Sequence, residues 1–234
     1  MGSTLASQVY AELLDALRLG EIQPHHRLVD TDLAAERNIS RMPVREALLR
    51  LASEGYLVST TRGFTVPTLS LDEIRDLSEL RRQLEPRAAA NAARDMNRET
   101  EAVLGAAMGA IRAAFGARDL KALLRANLAF RSAWLGAIGN RILATTTERY
   151  MDQFQTIRPQ TFEDPHFGRA YMDGLEGIYD AFLRRDPLLA GDRMMNFMYV
   201  AEAAFLAARR AQLDEAAEVA PAASQDNTTA RGTE

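Results

Sequence analysis

Arg41 and Arg45 stand four residues apart in Ile39-Ser40-Arg41-Met42-Pro43-Val44-Arg45-Glu46-Ala47-Leu48, a spacing that puts both side chains on one face of a helix. Two neighbouring guanidinium forks suit the acceptor edge of guanine and the oxygens of phosphate, so recognition of DNA is the chemistry this stretch suggests. Ser40 is a favourable N-cap, and Pro43 falls in the first turn, where a missing N–H costs little. Val44, Ala47, Leu48 and Leu51 follow the spacing of a buried stripe, which leaves the two arginines pointing away from the core. Elsewhere the chain has no cysteine and three histidines. It has no glycine-rich phosphate loop, no nucleophile elbow and no acid and base at a diagnostic spacing, so an enzyme is not expected.

The elements that must position the arginines can be traced outward from them. Leu5, Val9, Leu13, Ala16 and Leu17 predict a first helix over 5–19, stopped by Gly20. After a turn from Pro24 to Leu28, Asp30 or Thr31 can cap a short helix through Arg37, with Leu33 and Ala34 facing inward. Asn38 to Ser40 then make a tight turn into a helix over 41–54, which is a helix-turn-helix. Tyr56 to Ser59 and Phe64 to Val66 flank Thr60-Thr61-Arg62-Gly63 and predict a hairpin, a wing whose turn needs Gly63 at positive φ. Arg62 at its tip is placed to reach a minor groove.

Pro67 closes a first domain of residues 1–67, and Ser70-Leu71-Asp72-Glu73 carries a capping-box signature that opens the next. From 70 to about 212 the pattern is helical, over 70–95, 99–116, 119–137, 140–157, 168–185 and 187–212. The expected fold is mainly α: a winged helix-turn-helix followed, over 68–212, by a bundle of about six amphipathic helices able to enclose a cavity. Residues 213–234 lack an apolar period and are expected to be disordered.

Charge narrows the DNA reading. The chain carries 28 basic and 32 acidic side chains, and residues 1–67 hold seven arginines against eight carboxylates. Affinity must then come from a few placed arginines, presented twice by a dimer. Absence of cysteine excludes disulfides and thiolate zinc sites. No apolar run approaches the roughly 18–20 residues of a membrane helix, and Met1 to Ser7 lacks the marks of a targeting segment, so a cytoplasmic protein without a membrane partner is expected.

The run Leu28-Val29-Asp30-Thr31-Asp32-Leu33-Ala34 leading into Ser40 to Leu48, within the order helix, helix-turn-helix, wing and bundle, resembles the GntR family of bacterial transcription regulators. Asp76-Leu77-Ser78-Glu79-Leu80-Arg81-Arg82-Gln83-Leu84-Glu85-Pro86 and the alanine-rich stretch after it resemble the opening of the FCD effector domain of the FadR-like subfamily. The resemblance implies that Arg41 and Arg45 contact DNA and that Gly63 lies at the wing tip near the minor groove. Met42 joins the set on the same turn, and Thr31, Arg37, Ser40 and Arg62 are candidates for phosphate contacts that position without specifying. The plain alternative is a solvated helix face. The implied assembly is a homodimer on a pseudo-palindromic operator, acting as a repressor that a small effector releases.

Many FCD domains hold a divalent metal with one Asp and three His. Here His25 and His26 precede the bundle and His166 is alone in it, read as a surface histidine in a loop. The register places Asn127, Arg131, Leu175 and Phe197 at the four ligand positions, a set that cannot hold the ion, so neither metal nor cofactor is expected. Arg131 and Asn127 could instead take the carboxylate of an organic acid with an apolar or aromatic body, with Leu175 and Phe197 lining the site and Arg81 facing it. The opposing possibility is that Arg131 pairs internally with an acidic neighbour such as Glu85. A winged-helix regulator whose bundle serves only dimerisation or protein contacts is the alternative function.

Overall fold

The computed structural model describes residues 4–23, 26–154, 161–162 and 165–225. Helix α1 spans Leu5–Arg18, capped by the Thr4 hydroxyl, which accepts from the Ser7 amide at 3.2 Å. Val9, Leu13, Leu14 and Leu17 form its buried stripe. Helices α2 (Asp30–Glu36) and α3 (Arg41–Ser53) follow, joined by a turn in which Asn38 takes positive φ. Val44, Ala47, Leu48 and Leu51 of α3 close on the α1 stripe and on Leu57, Phe64 and Val66, making one compact core of this unit.

The wing differs from the expectation by one strand. Strands β2 (Val58–Thr60) and β3 (Gly63–Thr65) form the hairpin, and β1 (Arg27–Leu28), expected to be part of a turn, pairs antiparallel with β3 in the order β1-β3-β2. Helix capping also differs. Asp30 and Thr31 do not cap α2, whose N-cap residue is Val29. Asp30 is instead the first residue of the helix and is buried. Ser40 occupies the N-cap position of α3, but its hydroxyl makes no capping hydrogen bond.

A second core, separate in its residues, belongs to α4 (Leu71–Asp95), α5 (Arg98–Ala117), α6 (Leu120–Ala137), α7 (Arg141–Asp152), α8 (Pro165–Leu183) and α9 (Pro187–Gln225). Ser70 and Glu73 form the capping box of α4 in both directions. Asn97, Asp119 and Asn140 cap the next three helices through their side chains. Ala88, Ala89, Ala92 and Ala93, all fully buried, give α4 a smooth face. Close packing of α9 follows: a Cβ built on Gly191 would meet the Pro86 carbonyl at 3.4 Å.

Three boundaries move. Helix α7 ends at Asp152 rather than 157, and 155–160 lie outside the described residues. Helix α8 starts at Pro165, so His166 is exposed in a first helical turn and not in a loop. The segment expected to be disordered from 213 continues α9 to Gln225, and 226–234 lie outside the described residues. Its alanines and glutamates are strong helix formers, and propensity prolongs a helix where no apolar stripe demands it.

Gly63 is the position in the wing where the backbone allows no side chain. Its φ is +126°, and a Cβ there would sit 2.6 Å from the Leu28 carbonyl oxygen of the neighbouring strand. Gly63→Ala should therefore destabilise the winged unit by about 1–3 kcal/mol in chemical denaturation, the cost of holding an L residue in such a conformation. A loss within about 0.5 kcal/mol, typical of neutral surface changes, would contradict this geometry.

Candidate functional site

At the start of α3, Arg41 and Arg45 project side by side, their side chains 56% and 52% exposed. Both reach the same oxygen. Arg41 Nε donates to Asp30 Oδ2 at 2.9 Å and Arg45 Nη1 to that atom at 3.3 Å. The hydrogen bond from Arg41 holds the Asp30 carboxyl below its ordinary range against the opposing effect of burial. Asp30 thus fixes the near edge of both guanidiniums and leaves their outer nitrogens for a partner. A carboxylate read as a helix cap orients the two arginines instead. Met42, 72% exposed, completes this surface.

The weaker candidates divide. Thr31 is exposed and donates to Asp32 Oδ1 at 3.1 Å, and Ser40 is exposed at the turn. Arg62 is exposed in the two-residue turn of the wing, where its amide donates to Thr60 Oγ1 at 3.3 Å. Arg37 is turned toward the first helix, its Nε 3.5 Å from Glu12 and its Nη1 3.8 Å from Glu36.

The second cluster lies inside the bundle. Arg81, Asn127, Arg131, Leu175 and Phe197 all line one cavity of about 30 Å³. That is room for about two waters, not for an organic molecule. The internal pairing differs from the expected one: Arg131 pairs with Asp152 of α7 and not with Glu85. Glu85 pairs with Arg81, one turn back on its own helix, a contact that i,i+4 spacing favours. Arg81 also lies over the Phe154 ring, 4.4 Å from its centroid. Asn127 donates to the Tyr171 hydroxyl, and the Tyr171 ring packs 5.0 Å from Phe197. Glu85 Oε2 is buried and takes no hydrogen bond from the described residues.

Asp152 and Tyr171 were not singled out in the sequence, and Glu85 was named only as a partner for Arg131. Their roles depend on which helices meet, and no local motif announces that. The donor set does not fit a divalent metal, since it offers a neutral amide, a guanidinium, an aliphatic chain and a phenyl ring at the four implied ligand positions. Among the described residues no group of three or more His, Asp or Glu is placed to hold an ion. No described helix is long and apolar enough to cross a membrane.

Asp152 also faces the winged unit. Arg18 Nε donates to its Oδ2 at 2.9 Å, and the Tyr56 hydroxyl donates to that atom at 3.0 Å. Arg18 Nη2 lies 2.9 Å from Glu148 as well. Burial opposes the charge on Arg18, but Asp152 and then Glu148 outweigh it and hold the guanidinium protonated. Burial first, and Asp152 next, push the Tyr56 phenol well above its ordinary range, so it remains a donor at neutral pH.

Comparison with known proteins agrees with this architecture. Residues 5–66 match the family described as "Bacterial regulatory proteins, gntR family", and residues 76–199 match the FCD domain. The chain is 32% identical over 131 residues to the HTH-type transcriptional regulator McbR of Escherichia coli K12, covering 56% of this chain and 59% of that one. It is 43% identical over 67 residues to the Nta operon transcriptional regulator of Aminobacter aminovorans, covering 28% of this chain and 32% of that one. These matches span less than two thirds of either relative. The solved structure of E. coli McbR/YncC aligns with a TM-score of 0.77 at 25% identity, over 86% of this chain and 97% of that one.

The shared carboxylate at Asp30 has a signature in acid. Its folded pKa is depressed, so its contribution to stability is present above the unfolded value of about 3.9 and is lost as pH falls through the folded value. The stability difference between the parent and Asp30→Asn should stay constant between about pH 5 and 7 and shrink below about pH 4. A difference unchanged down to pH 2 would show that charge pairing with Arg41 and Arg45 is not its source.

Proposed function

Because this chain belongs to the GntR family, with a winged helix-turn-helix joined to an FCD domain, we propose that it is a homodimeric repressor whose pseudo-palindromic operator is released by a small organic acid. It is a DNA-binding transcriptional regulator. The observation that carries the reading is the exposed pair Arg41 and Arg45, oriented together by Asp30 at the start of α3. A helix presented by its N-terminal end, with guanidiniums at the first and second turns, matches entry into a major groove. Two protomers then address two half-sites about one helical turn apart, and the wing, with Arg62 at its turn, lies toward the flanking minor groove.

The acid reading rests on the cavity wall. Arg131 and Arg81 supply forks for a carboxylate, and Leu175 and Phe197 supply apolar surface for its body. Glu85 Oε2 adds an acceptor, so the acid we favour also bears an O–H or N–H. Binding requires the cavity to open and takes place without a metal. The tightness of the closed cavity favours one other reading, in which the bundle serves only dimerisation or protein contacts.

Replacing Arg41 and Arg45 by Gln, which keeps a hydrogen bond to Asp30 available, should weaken operator binding about 10- to 100-fold per arginine, while the chain still folds and its melting falls only by the charge pairing lost at Asp30. Retained sequence-specific affinity would remove the DNA-reading role from this pair. In a thermal-shift screen of aliphatic and aromatic carboxylic acids, at least one should stabilise the parent and lose its effect on Arg131→Leu. No stabilisation by any acid would favour the dimerisation reading, and stoichiometric zinc or nickel in the purified protein would overturn the metal-free one.

A further inference from the structure

Asp152 is the carboxylate through which the cavity touches the winged unit. On one side Arg131, in the cavity wall, donates to Oδ1. On the other, Arg18 at the end of α1 and Tyr56 just beyond α3 both donate to Oδ2. Lys121 and Arg125 also reach Glu21 across this seam, but those side chains are well exposed, where ion pairs contribute little. The buried connection between the two units therefore centres on Asp152.

An acid entering the cavity meets Arg81 held by Glu85 and Arg131 held by Asp152, and competes with one of those carboxylates. The two choices are unequal. Taking Arg81 would strand Glu85, whose side chain is 1% exposed and whose other oxygen has no described donor. Taking Arg131 strands nothing, because Asp152 keeps Arg18 and Tyr56. A buried charge left without a partner is strongly destabilising, so exchange at Arg131 is the open route.

We propose that Asp152 occupies, from within the protein, the place of the effector's carboxylate: an acid in the cavity takes Arg131 from Asp152, which then re-settles on Arg18 and Tyr56 and re-seats the winged unit on α7. This rests on the reading of the cavity as an acid site. The same exchange runs in reverse, so operator binding that favours one seating changes affinity for the acid by the same factor. The proposal also gives Tyr56 a purpose beyond packing, since its hydroxyl supplies the neutral donor that a carboxylate needs when Arg131 leaves.

The test needs no identified effector, because Asn127→Asp puts a carboxylate in the cavity wall one helical turn from Arg131. The chain has no cysteine, so spin labels on Ala35→Cys in α2 and Ala110→Cys in α5, both exposed, report the separation of the two units by pulsed electron resonance on full chains diluted with unlabelled protein. Asn127→Asp should shift or broaden the distance distribution, and Asp152→Asn should give a similar change that adds little when the two are combined. Should Asp152→Asn fold poorly, Arg18→Gln with Tyr56→Phe tests the same joint from the winged side.

A parental distribution in Asn127→Asp alongside a changed one in Arg18→Gln with Tyr56→Phe overturns the proposal, as does a parental distribution in all variants. An equal shift in Asn127→Leu also overturns it, since that change loses the Tyr171 bond without adding charge. Failure of carboxylic acids to stabilise the parent is a separate outcome and bears on the cavity reading alone.

Discussion

Asp152 takes hydrogen bonds from two directions, Arg131 on one oxygen and Arg18 with Tyr56 on the other, and this sharing constrains the rest of the molecule. Its side chain is 1% exposed, so its charge is tolerable only while partners surround it. Both α6, which carries Arg131, and α1, which carries Arg18, must come to the end of α7 for that to happen. The winged unit and the bundle each have their own apolar core. Their mutual position depends on a polar contact, and polar contacts are more readily exchanged than a packed apolar seam.

The cavity obeys the same condition. Two guanidiniums and two carboxylates leave it without net charge, and the ring of Phe154 covers Arg81 while Tyr171 holds Asn127. Each guanidinium is held by one carboxylate, Arg81 by Glu85 and Arg131 by Asp152, and the space between them is small. A neutral apolar molecule would have to open it without replacing any of these bonds. An acid can replace one of them, and its gain at Arg131 offsets the opening. On the acid reading we propose, the residues at the implied metal positions and the internal ion pairs belong together: Glu85 and Asp152 supply the anionic partners of the two guanidiniums until an acid arrives.

Much of the winged unit and the start of the bundle was legible because their determinants are local. The stripe Val44, Ala47, Leu48 and Leu51, the capping box at Ser70 and Glu73, and the positive φ of Gly63 depend on residues within a few positions. Strand β1 was not legible, since Arg27 and Leu28 are a strand only by virtue of pairing with Thr65 and Phe64. Asp30 has the residue type of a cap, and its burial beneath two arginines eleven and fifteen residues away outweighed that preference. The cavity residues Arg81, Asn127, Arg131, Leu175 and Phe197 were placed together by resemblance to a family. Their pairing escaped, because choosing Asp152 over Glu85 requires the register of α7 against α6.

Asp30 links these observations to the weak overall charge of the DNA-reading unit. One carboxylate held against two guanidiniums removes half of their net charge, which lowers attraction to any phosphate backbone and leaves the outer nitrogens free for base edges. In the homodimer we propose, a protomer so tempered binds weakly alone, and affinity then rests on two protomers engaging together. Simultaneous engagement is sensitive to spacing and orientation, and is lost when geometry forbids it. A coupling of about 1–3 kcal/mol is therefore enough to control it. Exchange of one hydrogen-bonded partner at Asp152 is of that order. On the proposed mechanism, a moderate grip by Arg41 and Arg45 is what lets a change at the far end of α1 decide whether the operator is held.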